Sequence, residues 1–264
     1  MTDENMQNMI LPLLVAAFVA ACASLLGSFA ILKRMALVGD AMSHVALPGL
    51  ALAMMFKVNP FIGGVLFLIV AVVGIWLIQH KTSLSIDTVV GVFFTSSLAI
   101  GALIMPEHEL IEALFGNIME LSTYETAASI LLSIALIAVI IALHKRLALC
   151  MVSSEIAHSI GVNTRRLDFI YLMAFALSVA LGIRFVGALL MGSLVIIPAA
   201  SAKNMARSLN SFMALSVIFG VFAASLGIFV SYSYKLSPGP VFIIISAGIF
   251  AVSLFARGFS RSPA

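Results

Sequence analysis

Charge is scarce in this chain. Asp, Glu, Lys and Arg make up 9% of its 264 residues against 62% hydrophobic residues, and the mean hydropathy is +1.20. Also missing is any polar stretch long enough for a water-soluble domain. The longest, roughly residues 145 to 168, is too short to build a core of its own. No GxxxxGK[ST] loop occurs, so any ATP hydrolysis must come from another chain, and no HExxH cluster accompanies the Asp and His residues that an intramembrane metalloprotease would need. There are only two cysteines, Cys22 inside the first apolar run and Cys150 in the polar stretch, which argues for free thiols and against a disulfide framework. The opening MTDENMQNM lacks a basic n-region and a small-residue cleavage site, so the first apolar run is expected to stay in the mature chain. No internal repeat stands out.

What is present is one apolar run after another, the pattern of an all-α, polytopic transmembrane bundle forming a single domain over 1–264. Runs bounded by charge or by Pro and Gly fall at about 10–32, 38–56, 60–79, 88–105, 125–144, 168–182, 185–202, 212–234 and 239–256. That makes nine helices, or eight if the GIR around Arg184 is an irregular point within one bent segment and not a tight outer turn. Basic residues favour the cytoplasmic side. With nine spans and the N-terminus outside, Lys33, Arg34, Lys81, Lys145, Arg146, Arg165, Arg166, Lys203, Arg207, Arg257 and Arg261 lie inside, and only Lys57, Arg184 and Lys235 lie outside. This puts the C-terminus in the cytoplasm and the acidic loop of residues 106–117 outside. In the first run Ala16, Ala20, Ser24 and Ser28 recur at helical spacing, a stripe that lets neighbouring helices approach closely.

Against this background the stretch GDAMSHVALPG, residues 39–49, is anomalous. Asp40 and His44 are four apart and therefore share one helix face, roughly 6 Å apart along the axis. A carboxylate at membrane depth costs at least about 2.5 kcal/mol on insertion scales, so it faces a cavity or a partner. Carboxylate oxygen with imidazole nitrogen suits Zn²⁺, Mn²⁺ or Fe²⁺ and suits Ca²⁺ or Mg²⁺ poorly. Two ligands are too few for a tight site, but two copies of the helix across a twofold axis would supply four. The pair alone leaves a structural reading equally open, in which Asp40 caps the second helix and His44 hydrogen-bonds to it.

GDAMSHVALPG, preceded by LKRMALV, resembles the second-helix signature of the membrane permeases of zinc, manganese and iron ABC importers. LSIDTVVGV (84–92), LFGNIM (114–119), VGALLMGSLVIIPAASAKNMAR (186–207) and LSPGPVFIIISAGIF (236–250) resemble that family in the same order, so the likeness spans nearly the whole chain. It implies an ABC importer permease fold in the bacterial inner membrane, with no enzymatic activity of its own. The implied partners are a second copy of the chain, cytoplasmic ATPase subunits and an extracytoplasmic metal-binding protein, within a lipid bilayer and without nucleic acid. The implied cargo is zinc foremost, with manganese or iron as alternatives, and no cofactor is permanently bound. Asp40 and His44 match the residues that the family uses along its metal path. An ion-driven secondary metal transporter is the other class that places Asp and His in spans, without needing an ATPase.

EIAHSIG, residues 155–161, carries Glu155, Ala157 and Gly161 on the E-x-A-x-x-x-G spacing of the coupling loop of ABC importer permeases, with Ile156 where a second alanine is usual. The resemblance implies a cytoplasmic coupling segment at about 153–166, flanked by Arg165, Arg166 and Asp168. A short helix closed by glycine would pass nucleotide-driven motion to the neighbouring spans. Glu107, His108, Glu109 and Glu112 form an acidic cluster on the outer side, read either as an entrance that concentrates cations or as a solvated loop. His80, His144 and His158 are expected to bind no metal. Pro198 interrupts a span as either a hinge or a packing feature.

Overall fold

In a bilayer every backbone N–H and C=O must be paired within the protein, and an apolar run meets that demand by coiling into a helix. The computed structural model describes residues 3–35, 38–106, 114 and 123–260, which form helices joined by short turns with no strand among them. In chain order these are α1 (Asp3–Leu32), α2 (Val38–Val45), α3 (Leu47–Met55), α4 (Pro60–Lys81), α5 (Ile86–Ile104), α6 (Thr123–Val152), α7 (Ser154–Ser159), α8 (Thr164–Val186), α9 (Ala188–Met205), α10 (Leu209–Tyr234) and α11 (Pro238–Ser260). Among the described residues eight segments are long and apolar enough to cross a membrane, α2 and α3 together supplying one of them. The other long helix, α9, packs against α1, α2, α8, α10 and α11.

Capping chemistry sets the boundaries. Asn59, Ser85, Ser153, Asn163 and Ser208 each accept a hydrogen bond from an N–H two or three residues on, starting α4, α5, α7, α8 and α10. Four helices end alike: Met35, Val58, Val162 and Leu236 donate to the carbonyls of Ala30, Ala53, Ala157 and Ser231, five residues back. The residues before them, Arg34, Lys57, Gly161 and Lys235, turn left-handed with φ of 59°, 56°, 81° and 54°.

The ambiguous division near Arg184 resolves as a reversal three residues later. Helix α8 runs through Arg184 to Val186, and the chain breaks at Gly187, whose φ of 85° favours glycine. Met191 then lies against Gly182, so α9 folds back along α8. The far end of α9 returns to the end where α1 finishes, since Lys203 and Leu32 line one cavity of about 510 Å³. With α2 and α3 counted as one pass, the described chain runs nine times between the ends of the bundle, eight of these passes being the apolar segments above and the ninth α9.

Small residues bring the inner helices together. Ala16, Ala20, Ser24 and Ser28 are all at most 9% exposed, and Ser24 sits directly on Gly220 of α10. Gly27 leaves room for the Val195 carbonyl of α9. Pro198 cannot donate to the Leu194 carbonyl one turn earlier, and the Ser24 hydroxyl donates to that carbonyl instead at 3.4 Å. The proline therefore ties α9 to α1. Cys22 and Cys150 are free thiols.

Candidate metal site and coupling segment

The helix that carries Asp40 and His44 is broken. Helix α2 ends at Val45 and α3 begins at Leu47, because Pro48 has no N–H to give the carbonyl of His44 one turn before it. The break thus falls immediately after the histidine and deprives its carbonyl of the usual helical donor. Such discontinuous helices are where membrane transporters place ion sites. This signal was available in the spacing of His44 and Pro48, and the sequence reading above missed it.

Asp40 lies in the first turn of α2, the position expected of a helix-capping acid, and it is half-buried. His44 is 7% exposed. The structural reading of the pair requires a hydrogen bond between them, and none forms; the buried Nδ1 of His44 has no partner at all among the described residues. Gln79, Ser133, Ser178 and Ser246 also bury a polar atom without a partner, but among these five side chains only His44 offers a metal-ligating nitrogen, one turn from a carboxylate. The imidazole is held by the ring of Phe94 on α5, edge-on at 5.3 Å and 64°. Asp40 faces α9, where a Cβ on Gly192 would stand 2.7 Å from the Asp40 Cβ and 2.9 Å from its Oδ1. Between them Ser43 donates to the Ala188 carbonyl at 2.6 Å, fixing the rotation of α2 against the start of α9. Gly39 completes the contact by lying against Val195 and Phe175.

Depth follows from α9, which runs beside the pair. From Lys203 at one end of the bundle to Gly192 is eleven residues, or roughly 16 Å of helix, about half of a ~30 Å hydrocarbon core. Along α8, from Asp168 at the Lys33 ion pair to Phe175 beside Gly39 is seven residues, or roughly 10 Å, close to the roughly 9 Å counted from Lys33 and Arg34, so the pair lies about 10–16 Å inside that end. One chain brings only two donor side chains here, for no group of three His, Cys, Asp or Glu residues suited to a metal occurs among the described residues.

The second candidate region is separate. Ser153 caps α7, the helix closes at Gly161, and Asn163 caps α8. Glu155 and His158 are exposed, whereas Ala157 is fully buried and faces this chain. The exposed apolar side chains are Ile156 and Ile160, at 54% and 63%, one helical turn apart. A partner docking here would meet these two isoleucines and not Ala157. His80 and His144 turn their Nδ1 atoms to the backbone carbonyls of Trp76 and Ile141. Glu107, His108, Glu109 and Glu112 lie outside the described residues, as does LFGNIM apart from Leu114.

Comparison with known proteins bears on what these two regions do. Residues 3–257 match the ABC 3 transport family. The chain is 35% identical to the high-affinity zinc uptake system membrane protein ZnuB of Haemophilus influenzae, over 88% of this chain and 91% of that protein. It is 32% identical to the manganese import system permease protein ScaB of Streptococcus parasanguinis, over 92% and 88%. Among solved structures it resembles PsaBC from Streptococcus pneumoniae in complex with Fab, with a TM-score of 0.82 and 30% identity, covering 95% of this chain and 91% of the matched one.

Proposed function

This chain is a member of the ABC 3 transport family, and from that premise we propose that it passes Zn²⁺ through a homodimer, between the Asp40 and His44 side chains of two copies. It is a metal-importer permease of the inner membrane, and ATP hydrolysis belongs to separate ATPase subunits. The observation that carries the site is a half-buried carboxylate and a buried imidazole nitrogen, both without hydrogen bonds among the described residues, on one face of a broken helix well inside the span. Two donors per chain leave a tetrahedral shell half filled, and a second copy completes it with two nitrogens and two oxygens. Neutral imidazole and carboxylate bind a borderline cation tightly enough to strip its water, while the absence of thiolate keeps release possible. Zinc is supported by the likeness to ZnuB. Manganese is the second reading, supported by the comparable likeness to ScaB, and uptake of each metal by cells lacking this chain separates them.

In this reading a metal-binding protein delivers the ion from outside, and Glu107, His108, Glu109 and Glu112 raise the cation concentration at the entrance. ATPase subunits grip α7 on the inside through Ile156 and Ile160. The purified chain in liposomes is expected to move no metal until its ATPase and ATP are added; flux by the chain alone overturns the reading. Ile156→Asp with Ile160→Asp should cut ATP-driven flux at least tenfold with the dimer intact. A Cβ added at Gly161 meets nothing within 4 Å among the described residues, so beyond the left-handed backbone cost the effect of Gly161→Ala reports the partner.

Orientation has its own check. Lys33, Lys203 and Arg165 converge at one end of the bundle, which fits the bias of basic residues toward the cytoplasm. A cysteine replacing Glu109 should react with an impermeant thiol reagent in intact cells, and one replacing Ser154 should not. Reversed labelling would turn the permease over and remove the coupling role of α7.

A further inference from the structure

The first turns of α8, which leave the coupling segment, are gripped from two sides. On one side Asp168 forms an ion pair with Lys33, the residue that ends α1; the two side chains are only 22% and 15% exposed. This is the one ion pair among the described residues. The Lys33 ammonium also stands 5.2 Å from the centre of the Tyr171 ring, and the Tyr171 hydroxyl donates to the Leu26 carbonyl of α1 at 3.2 Å. On the other side the only tryptophan of the chain, Trp76 of α4, donates its indole N–H to the Arg165 carbonyl at 3.1 Å. Its ring packs edge-on against Phe169 at 5.4 Å. Asp168 and Tyr171 thus serve α1, while Arg165 and Phe169 serve α4.

The placement of this grip in the chain matters as much as its chemistry. Lys33 stands seven positions before Asp40, in the turn that leads into the broken helix, and Asp168 stands seven positions after Gly161. The ion pair therefore joins the exit of the coupling segment to the approach to the metal pair. The stripe continues along α8: Tyr171 meets Phe175 at 5.9 Å between ring centres, and Phe175 lies against Gly39, next to Asp40. A half-buried ion pair resists separation because opening it would leave two charges poorly solvated. The indole N–H of the partly buried Trp76 adds a directional hydrogen bond at the exposed edge of the joint, and its ring packing on Phe169 must be given up if the helices slide.

We propose that Lys33, Asp168 and Trp76 are positioning residues of the transport cycle: they lock the start of α8 to the ends of α1 and α4, so that a displacement of α7 reaches the Asp40 helix and is not absorbed at the joint. This inference rests on the importer reading given above. The locked joint is a two-sided contact between packed helices, the kind of element that transmits a small shift as rigid-body motion. It contacts neither metal nor nucleotide.

The test uses the complete transporter, permease dimer with its ATPase and delivery protein, in liposomes, and reads zinc moved per ATP hydrolysed. Lys33→Met, Asp168→Asn and Trp76→Phe should each keep ATP hydrolysis within about twofold of wild type while zinc per ATP falls at least fivefold. Lys33→Arg and Asp168→Glu, which keep the charges, should restore at least half of the coupling ratio. The exchange Lys33→Asp with Asp168→Lys should restore it better than either single reversal. If folded dimer falls in these variants while zinc per ATP stays at the wild-type value, or if the charge-keeping variants are as uncoupled as Lys33→Met, the positioning role is overturned. A wild-type transporter without ATP-driven flux overturns the importer reading instead, and the joint with it.

Discussion

Asp40→Asn or His44→Ala should remove ATP-driven metal uptake, measured per folded dimer, while the amount of protein in the membrane stays near wild type. Loss of a residue that merely orients a ligand costs about 10–100-fold in metal affinity, so loss of a ligand itself should exceed that range. The reason to expect no loss of protein is particular to this structure. The Asp40 carboxylate accepts no hydrogen bond among the described residues, Asn has the same size, and removing a charge from inside the membrane relieves a cost of insertion. His44→Ala gives up an edge-on contact with Phe94, worth about 0.5–1.5 kcal/mol beyond the buried area lost with the ring, and leaves no new unpaired group because Nδ1 had no partner among the described residues; uptake is therefore read per folded dimer. A merely structural pair requires the reverse: less protein, and normal uptake per surviving molecule. Near-wild-type uptake per dimer in both variants would remove the site assignment.

Gly192→Ala should lower uptake about as severely through a residue that carries no donor atom. Its new Cβ would lie 2.7 Å from the Cβ and 2.8 Å from the Cα of Asp40, and a backbone atom cannot step aside as a flexible side chain does. Helix α2 must move away from α9, which breaks the bond from Ser43 to the Ala188 carbonyl and carries the carboxylate out of register with its copy. Overpacking of this kind costs about 1–3 kcal/mol. Gly248→Ala is the matched control, since nothing lies within 4 Å of a Cβ there, and alanine favours a helix over glycine by about 1 kcal/mol. The thermal midpoint should therefore fall for Gly192→Ala and hold or rise for Gly248→Ala, with uptake lost only in the former. Uptake by Gly192→Ala equal to that of the control would mean that the contact does not position Asp40.

Much of the fold was legible in the order of residues, and for a physical reason: lipid permits few backbone solutions, so each apolar run had to become a helix. The runs, the small-residue stripe of α1 and the break after His44 can all be read along the chain. The reversal at Gly187 was blurred because the apolar pattern runs through it, and only the fold-back of Met191 onto Gly182 separates α8 from α9. The proposed coupling segment was legible as a spacing but not as a surface. The spacing singled out Ala157, which is buried, noted Ile156 only as a departure from the pattern and passed over Ile160, because one turn of helix does not announce which side its own protein covers.

By itself, then, the sequence determined that this is an all-helical membrane protein without its own ATPase, and that Asp40 and His44 are its anomalous polar pair. It did so because hydropathy, residue chemistry and i, i+4 spacing are local properties that need no partner to be defined. Tertiary structure alone decided which groups meet across distance. It set Gly192 against Asp40, Ser24 under the carbonyl that Pro198 frees, and Lys33 beside Asp168, 135 residues away. Those contacts depend on how helices cross, and crossing is fixed by the fit of small side chains on two surfaces at once, which no single stretch of chain contains.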